Sequence, residues 1–565
     1  MPTPELNWQP EPELLASLDR DVPEILASQK ADGQFGTEPW ISTDQNVLLP
    51  LAAAWSLEGS THHHSDAVLD AIGRGGEALV AAQDDEGMWT FRKKDHSTWG
   101  QILMPWVYSR WIRAFRLVRE ALPADTRQTW EEGLLLGYTG IAATALGHIH
   151  NIPAHHAMGL CCAGQVFDRD DWRDQAARFM ASVAAAQSPN GWWAEHAGPV
   201  VAYNFVYSES LGIYYAMSGD EAVLPALERA AIYHANLTYP DGSSVETVDG
   251  RNPYHGGRRL GNPGFSYTPA GRGYLLEQHG QHIAAGADFA ADYAANMLLY
   301  TGSGAAEPTA ATRERHLWHM GDEALVRRRR PWFLCVSAFT APIPDNRWGQ
   351  DRQNFVSLYH DDLGLVLGGG STKLQPLWSN FTVGDPALLY HTEGDEEPDF
   401  SAREGLLHVP DRAVCIDGEE AAGAVLHYGQ VQCRLEVRPC GDDAVDLVLS
   451  SEGPWGLPVE GHLTLMPRLG EALASSAGER LELGESPVEW EGGEGVWIEH
   501  GGWRLALPAG TRLLWPVLPH NPYRKDGTAT AEEGRLVVCV PLTEARPSAR
   551  LELATAGPGD GARSG

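Results

Sequence analysis

Three stretches of this chain collect side chains able to move protons or hold an anion. The first, His148 to Gly164, opens His-Ile-His-Asn-Ile-Pro-Ala-His-His and continues into small residues. Pro153 suits a first helical turn, where its missing N–H costs nothing. His155 and His156 then lie about one turn past Asn151, a spacing that aims an amide and an imidazole into one cavity. The second stretch begins Gly191-Trp192-Trp193-Ala194-Glu195 and leads to Tyr203 and Tyr207. The third begins Pro240-Asp241-Gly242 and passes Glu246 to reach Gly250-Arg251-Asn252-Pro253-Tyr254-His255.

An amide, imidazoles, phenols and a guanidinium form a set suited to β-elimination of a uronic acid. Removing the C5 proton of a uronate is difficult because charge builds on a group that is already a carboxylate. An Asn amide or an Arg fork bonded to that carboxylate stabilises the enolate; one donor aimed at developing charge is worth about 3 kcal/mol. A histidine or an ionised tyrosine takes the proton, and a tyrosine hydroxyl returns one to the departing O4. Neither paired carboxylates nor a metal is required, and no cofactor is expected.

The elements that must position these groups repeat. Gln29-Lys-Ala-Asp-Gly33-Gln-Phe35, Gln83-Asp-Asp-Glu-Gly87-Met-Trp89, Gln187-Ser-Pro-Asn-Gly191-Trp-Trp193 and Tyr239-Pro-Asp-Gly242 each follow an apolar stretch of helical period. Their glycines are 54, 104 and 51 residues apart. The unit is therefore about 52 residues, with one copy near Gly137 to Gly140 lacking the aromatic signature, and repeats of this length stack as helical hairpins. Helical periodicity marks 65–82, 105–122, 172–186, 221–235 and 285–300, while strand-like alternation is nearly absent before residue 330. Gln45, Trp99 and Gln101 follow the first two turns and should share the mouth that the chemistry uses. Trp99, Trp192 and Trp193 are candidates for stacking on sugar rings, with two of the three closing their turns instead.

The texture changes at Arg327-Arg-Arg-Arg-Pro331, expected as a solvated charge run at a domain boundary. Short β-type runs separated by Gly, Pro and Asp follow, at 332–339, 355–359, 364–367, 406–409, 413–416, 431–437, 444–449, 461–466, 495–498 and 536–541. The expected architecture is α+β and multidomain: an incomplete (α/α) toroid over 1–325, an antiparallel β-sandwich over 331–555 and a disordered tail over 556–565.

Composition bounds the partners. The chain has 565 residues, of which 43% are hydrophobic and 21% charged, as in ordinary globular proteins. Its net charge of −33 argues against nucleic acid, whose phosphates need a basic footprint. An acidic polysaccharide or oligosaccharide would likewise need a local basic pocket within a repelling surface. The 20 tryptophans suit clefts for sugars and other flat ligands. The seven cysteines form no CxxC pair, which indicates neither a disulfide framework nor a zinc knuckle. No basic and apolar leader is visible at the start, so a cytoplasmic setting is expected, although a chain trimmed of its leader would read the same. No apolar run reaches the roughly 18 residues that cross a bilayer.

The three stretches resemble the heparinase II/III-like polysaccharide lyases. The resemblance rests on Asn151 eight residues before Gly159-Leu160-Cys-Cys-Ala-Gly164, on Asp168-Arg-Asp-Asp-Trp172, on Asn190-Gly-Trp-Trp-Ala-Glu195 leading to Tyr203, and on Pro240-Asp-Gly followed by Gly250-Arg251-Asn252. It is clear over about residues 140 to 275 and architectural elsewhere. It implies the toroid and sandwich, with Asn151 as carboxylate neutraliser and Tyr203 as general acid. Many such lyases have Asn-His adjacent where this chain has Asn151-Ile152. That leaves His155, His156 and an ionised tyrosine open as the base, together with His360, since these lyases borrow a His or Tyr from the first strands of the second domain. Tyr207, four residues past Tyr203, is the rival acid. Arg251, Asn252 and His255 would bind substrate beside Gln45, Trp99, Gln101, His156, Trp192 and Tyr207.

Three other readings compete. The Gln-x-x-x-Gly-x-Trp turns also resemble those of triterpene cyclases, with Asp168-Arg-Asp-Asp as an acidic proton donor, although these aspartates suit a helix N-terminus better. A glycoside hydrolase on the same toroid would need two carboxylates roughly 5 to 10 Å apart, for which Glu195, Glu209 and Glu246 are available. A non-catalytic carbohydrate-binding scaffold would keep the tryptophans without needing Tyr203.

Overall fold

The computed structural model describes residues 6–195, 197–251, 254–389 and 394–556. Asn252 and the expected tail beyond Ala556 lie outside them. The chain divides into two compact units. The first comprises residues up to Trp193 with Ala202–Ala235 and Leu260–Thr309; the second comprises Ala194–Val201, Asn236–Arg259 and everything from Ala310. A helix-rich region is followed by antiparallel sheets, as expected of a toroid and a β-sandwich.

Eleven α-helices lie among the described residues: α1 (Pro12–Ala27), α2 (Leu48–Ser56), α3 (Asp66–Ala82), α4 (Pro105–Val118), α5 (Ala124–Thr144), α6 (Asn151–Val166), α7 (Asp170–Ala185), α8 (Val201–Ser218), α9 (Leu224–Asn236), α10 (Pro269–Ala284) and α11 (Ala291–Tyr300). In the first unit α2, α4 and α6 pack in succession, α3, α5 and α7 lie against them, and α1 packs on α11. Leu6–Trp8 pairs with Gly304–Ala306, so both ends of this unit are tied together.

The repeat turns share one mechanism. Lys30, Asp84 and Ser188 each donate their backbone N–H to the carbonyl four residues on, and Gly33, Gly87 and Gly191 take positive φ at the bend. The amides of Gln29 and Gln187 bridge their own turn glycine's carbonyl and a carbonyl of the following outer helix, Ala71 and Ala226 respectively. The indoles of Trp89 and Trp193 each donate to a carbonyl ten residues earlier. These ties are non-local, which is why one short motif fixes where two helices meet.

The structure departs from the sequence reading in four places. No turn interrupts the chain at Gly137 to Gly140, which lie inside α5. Gly137 is there for close packing, since a Cβ would lie 1.9 Å from the Tyr108 hydroxyl. The helix expected over 285–300 begins only at Ala291, because Gly286 takes φ 68° and the N–H groups of Gly286 and Ala287 cap the end of α10 at Ala284. Strands do precede residue 330: a hairpin of Trp89–Arg92 with Thr98–Ile102, and the sheet strands Arg315–Met320 and Ala324–Arg329. Finally, the arginine run is only half solvated: Arg329 and Arg330 are exposed, whereas Arg327 and Arg328, on that last strand, are not. Arg328 is buried and donates two bonds to Asp361 at 2.6 and 2.8 Å, and Arg327 pairs with Asp417.

Two large antiparallel sheets make up most of the second unit, beside the short pair Ala194–Glu195 and Gly198–Pro199. One runs from Arg315–Met320 through Ala324–Arg329, Trp332–Ser337, Val356–His360 and Gly364–Leu367 to Val459–Leu465, then Arg535–Leu542, Arg512–Val517 and Val488–Glu491. The other runs from Arg412–Asp417 through Ala422–Tyr428, Val431–Pro439 and Ala444–Glu452 to Ser548–Thr555, and on through Trp503–Ala506 and Trp497–His500 to the short strands Ala472–Ser475 and Arg480–Glu482. Alternate residues of both, such as Val356, Leu358, Leu435, Leu447, Leu463 and Val538, form one apolar core.

Candidate active site

Asn151 is the first residue of α6, following His150 in extended conformation. Its side chain is almost buried at the helix's positive end, where the first N–H groups lack intrahelical acceptors. One turn on, His155 is 2% exposed; its Nε2 lies 3.4 Å from Glu209 Oε2 of α8, and Trp106 packs edge-on with ring centroids 4.5 Å apart. Burial lowers the His155 pKa, and Glu209 only partly offsets it. Glu209 is the ionised partner. Burial opposes its charge, but His155, Arg110 and Arg113 outweigh that and hold its pKa down to about 2. Arg110 is itself fixed by two bonds to Asp292, at 2.7 and 2.6 Å. His156 is also buried and pushed down to about 3, by desolvation first and by His155 second.

Tyr203 lies in the first turn of α8 and is half-buried. Its neighbours are committed to packing: Tyr207 is buried and stacks on Trp193 with centroids 4.8 Å apart, which makes it a core residue. Asn204 accepts the Trp193 N–H at 3.1 Å and donates to the Gly191 carbonyl at 3.2 Å. Gln45 does the same work two repeats earlier, accepting from Phe35 N–H at 2.7 Å and donating to Gly75 at 2.6 Å. With 1% exposure and both ends of its amide engaged, Gln45 closes a turn and is withdrawn from any sugar. Trp192 is half-buried, whereas Trp99 is 57% exposed on its hairpin with Lys93 Nζ 4.9 Å from its ring centre, and Gln101 is exposed on the same strand.

In the second unit, the third stretch folds against the first sheet. Tyr239 stacks on Tyr359, with centroids 5.2 Å apart, and its hydroxyl donates to Ser357 Oγ at 2.7 Å. Glu246 accepts the Gly369 N–H at 2.9 Å and faces His255 Nδ1 at 3.6 Å. Burial opposes both charges, yet each supports the other: Glu246 is held below the ordinary carboxylate range and His255 above the ordinary imidazole value. Arg251 lies over Trp348, 5.1 Å from its ring centre. His360 takes no part in this cluster. Strand alternation turns Ser357 and Tyr359 towards it, while His360 shares the other face with core residues Val356 and Leu358 and packs edge-on against Trp332. Its 2% exposure removes it as a base that must touch substrate. Ser357 and Arg110 were not singled out in the sequence, and Tyr239 and Tyr359 stood out only as a turn residue and as the neighbour of His360, because only the register of sheet and helices brings them to these groups.

Asp168 to Asp171 behave as the helix-start reading expects. Asp170 and Asp171 open α7 and pair with Arg173 and Arg169 at the surface.

No protein-family model matches the sequence, and none of the curated proteins matches it. Among solved structures, the chain is similar to a chondroitinase AC lyase known from enzyme–oligosaccharide complexes, with TM-score 0.56 and 12% identity over 97% of this chain and 83% of that one. It is similar to a xanthan lyase from Paenibacillus, with TM-score 0.56 and 12% identity over 98% of this chain, which spans 58% of that one. It is similar also to heparinase III, with TM-score 0.53 and 12% identity over 98% and 86%. The likeness read from three stretches thus extends, as fold, over nearly the whole chain.

Proposed function

We propose that this chain is a polysaccharide lyase that cleaves a uronic-acid-containing glycan by β-elimination and leaves an unsaturated uronate end. The fold it shares with the lyases above supports the class, and the second unit supports the acidic substrate. From Gly250 to Leu260 the chain carries Arg251, His255, Arg258 and Arg259 and no carboxylate, a local basic segment in a protein of net charge −33.

The observation that carries the mechanism is a contrast in exposure. His155, His156, His360 and Tyr207 are buried, whereas Tyr203 stays within reach of solvent at the start of α8. Tyr203 is therefore the proton-transfer group. As tyrosinate it takes the C5 proton; the C4–O4 bond breaks as the C4–C5 double bond forms, and the same proton passes to the departing O4. Asn151, at the positive end of α6, bonds the uronate carboxylate and stabilises the enolate. His155 is a positioning residue, locked to Glu209 one turn below Asn151. A hydrolase with Glu209 or Glu246 as its general acid is disfavoured, because both are held below the ordinary carboxylate range and such an acid needs a raised pKa.

The test is incubation with glycans of the kinds for which chondroitinase, heparinase and xanthan lyase are named. Ultraviolet absorbance from a conjugated double bond is expected, together with activity that rises towards alkaline pH and has no limb near neutrality. Tyr203→Phe should lose about 10²- to 10⁴-fold in turnover while keeping its circular dichroism. New reducing ends without absorbance would mean hydrolysis, and an active Tyr203→Phe variant would remove the mechanism.

A further inference from the structure

We infer a metal site in the first sheet of the second unit: Glu460, His462 and Cys539 as ligands of one zinc-class divalent cation. Glu460 and His462 are two apart on Val459–Leu465 and so share a face, and Cys539 is the register partner of His462 on Arg535–Leu542. The apolar neighbours Leu463, Val538 and Val540 point into the sandwich core, while Cys539 packs with Trp378 and Val517 on the sheet's opposite face. One ligand atom from each of the three residues lies within 4.8 Å of the others.

The second observation concerns the imidazole. His462 is fully buried, its Nδ1 lies 2.9 Å from the Ser379 carbonyl, and its Nε2 lies 3.1 Å from Glu460 Oε1. Both ring nitrogens therefore face acceptors. With Nδ1–H donated to Ser379, Nε2 is left facing the carboxylate across a gap that takes either a second proton or a metal cation. A metal there would replace the proton, with the carbonyl-bonded Nδ1–H fixing the tautomer as it does in metal-binding histidines. The same geometry excludes a thiol–imidazole–carboxylate relay, because carboxylate and thiol would compete for one nitrogen.

The donor set selects the ion. One thiolate, one imidazole and one carboxylate suit zinc, whose ligands stand about 2.0 to 2.3 Å from the metal. The outermost ligand atoms must close by about 1 Å to reach that geometry. Carboxylate and thiolate together neutralise a dication. Burial and Glu460 raise the Cys539 thiol, and a bound metal reverses this by taking the thiolate as ligand. Arg512, the register partner of Cys539, holds Glu460 Oε2 at 3.4 Å and Glu489 at 3.6 Å. It leaves Oε1 to the metal, and the part-exposed side of Glu460 leaves room for water as a fourth ligand. The ion would staple two central strands and is structural, since the elimination proposed above needs none.

The test uses the full chain, stripped with chelator and titrated with cobalt(II), then zinc(II). Expected are one equivalent of tightly bound cobalt, a thiolate-to-cobalt charge-transfer band, and displacement of both by zinc. Cys539→Ser should abolish the band, and the near-isosteric Glu460→Gln should weaken binding by at least about tenfold. Glu460→Gln keeps the test open if the serine variant misfolds. A folded wild-type chain that takes up no equimolar metal overturns the inference, as does a band that persists in Cys539→Ser.

Discussion

Replacing Glu209 by Gln tests the electrostatic arrangement beneath Asn151. The variant keeps the shape of the side chain and removes a charge that His155 faces at 3.4 Å. Glu209 is 22% exposed, and its pKa falls from an ordinary 4.5 to about 2 on folding. At 1.36 kcal/mol per pKa unit, that depression sets an upper bound of about 3 kcal/mol at neutral pH, where burial keeps His155 uncharged and the lasting charge partners are Arg110 and Arg113. The folded value is the lower one, so the contribution is complete above pH 4.5, declines as the pH falls towards 2 and is absent below that. The stability gap between wild type and Glu209→Gln should therefore be at most about 3 kcal/mol at pH 7 and narrow as the pH falls below about 4.5. Every other carboxylate titrates in both proteins and cancels from the difference. The measurement is urea unfolding followed by far-ultraviolet circular dichroism, which reports the helical unit; a chain of two units is not expected to unfold in one step. A gap that stays constant between about pH 7 and about pH 3.5 would mean a packing effect, and the charge argument would be wrong.

Three further outcomes are expected. Tyr207→Phe should retain elimination activity within a few-fold, measured by product absorbance, because that ring is sealed against Trp193. Gly76→Ala should lower thermal stability by about 1 to 3 kcal/mol, since the new methyl would lie 1.8 Å from Trp130 Cε2 and force the indole aside. Arg328→Met should cost about 1 to 3 kcal/mol in denaturant unfolding, because Asp361 loses two bonds and keeps only Arg330, while Arg329→Met, on the exposed side of the same strand, should cost little.

What the sequence disclosed was local. A Gln, a glycine four residues on and an aromatic two beyond it are read directly, and the turns form as that spacing dictates. The amides that close those turns were not recognisable, because Gln45 meets Phe35 and Gly75 only once the hairpins have stacked. A polar residue after a turn looks the same whether it faces a sugar or a carbonyl. Four arginines in a row read as solvated because the partner of Arg328, Asp361, lies 33 residues further along. His360 and Tyr359 differ by one position, and only strand register tells which of them meets Tyr239. For the same reason Glu246 passed as a spare carboxylate, when its partners are a sheet glycine and a histidine of its own segment.

The way each repeat turn is tied has an evolutionary consequence. Gln29, Gln45, Gln187 and Asn204 engage the main chain on both sides of the bend, so the scaffold's strength does not draw on the loop that comes after. Such loops are interchangeable parts: one of different length or charge changes what the turn presents to solvent without loosening the helices beneath it. A single helical frame is in this way open to many different exposed segments.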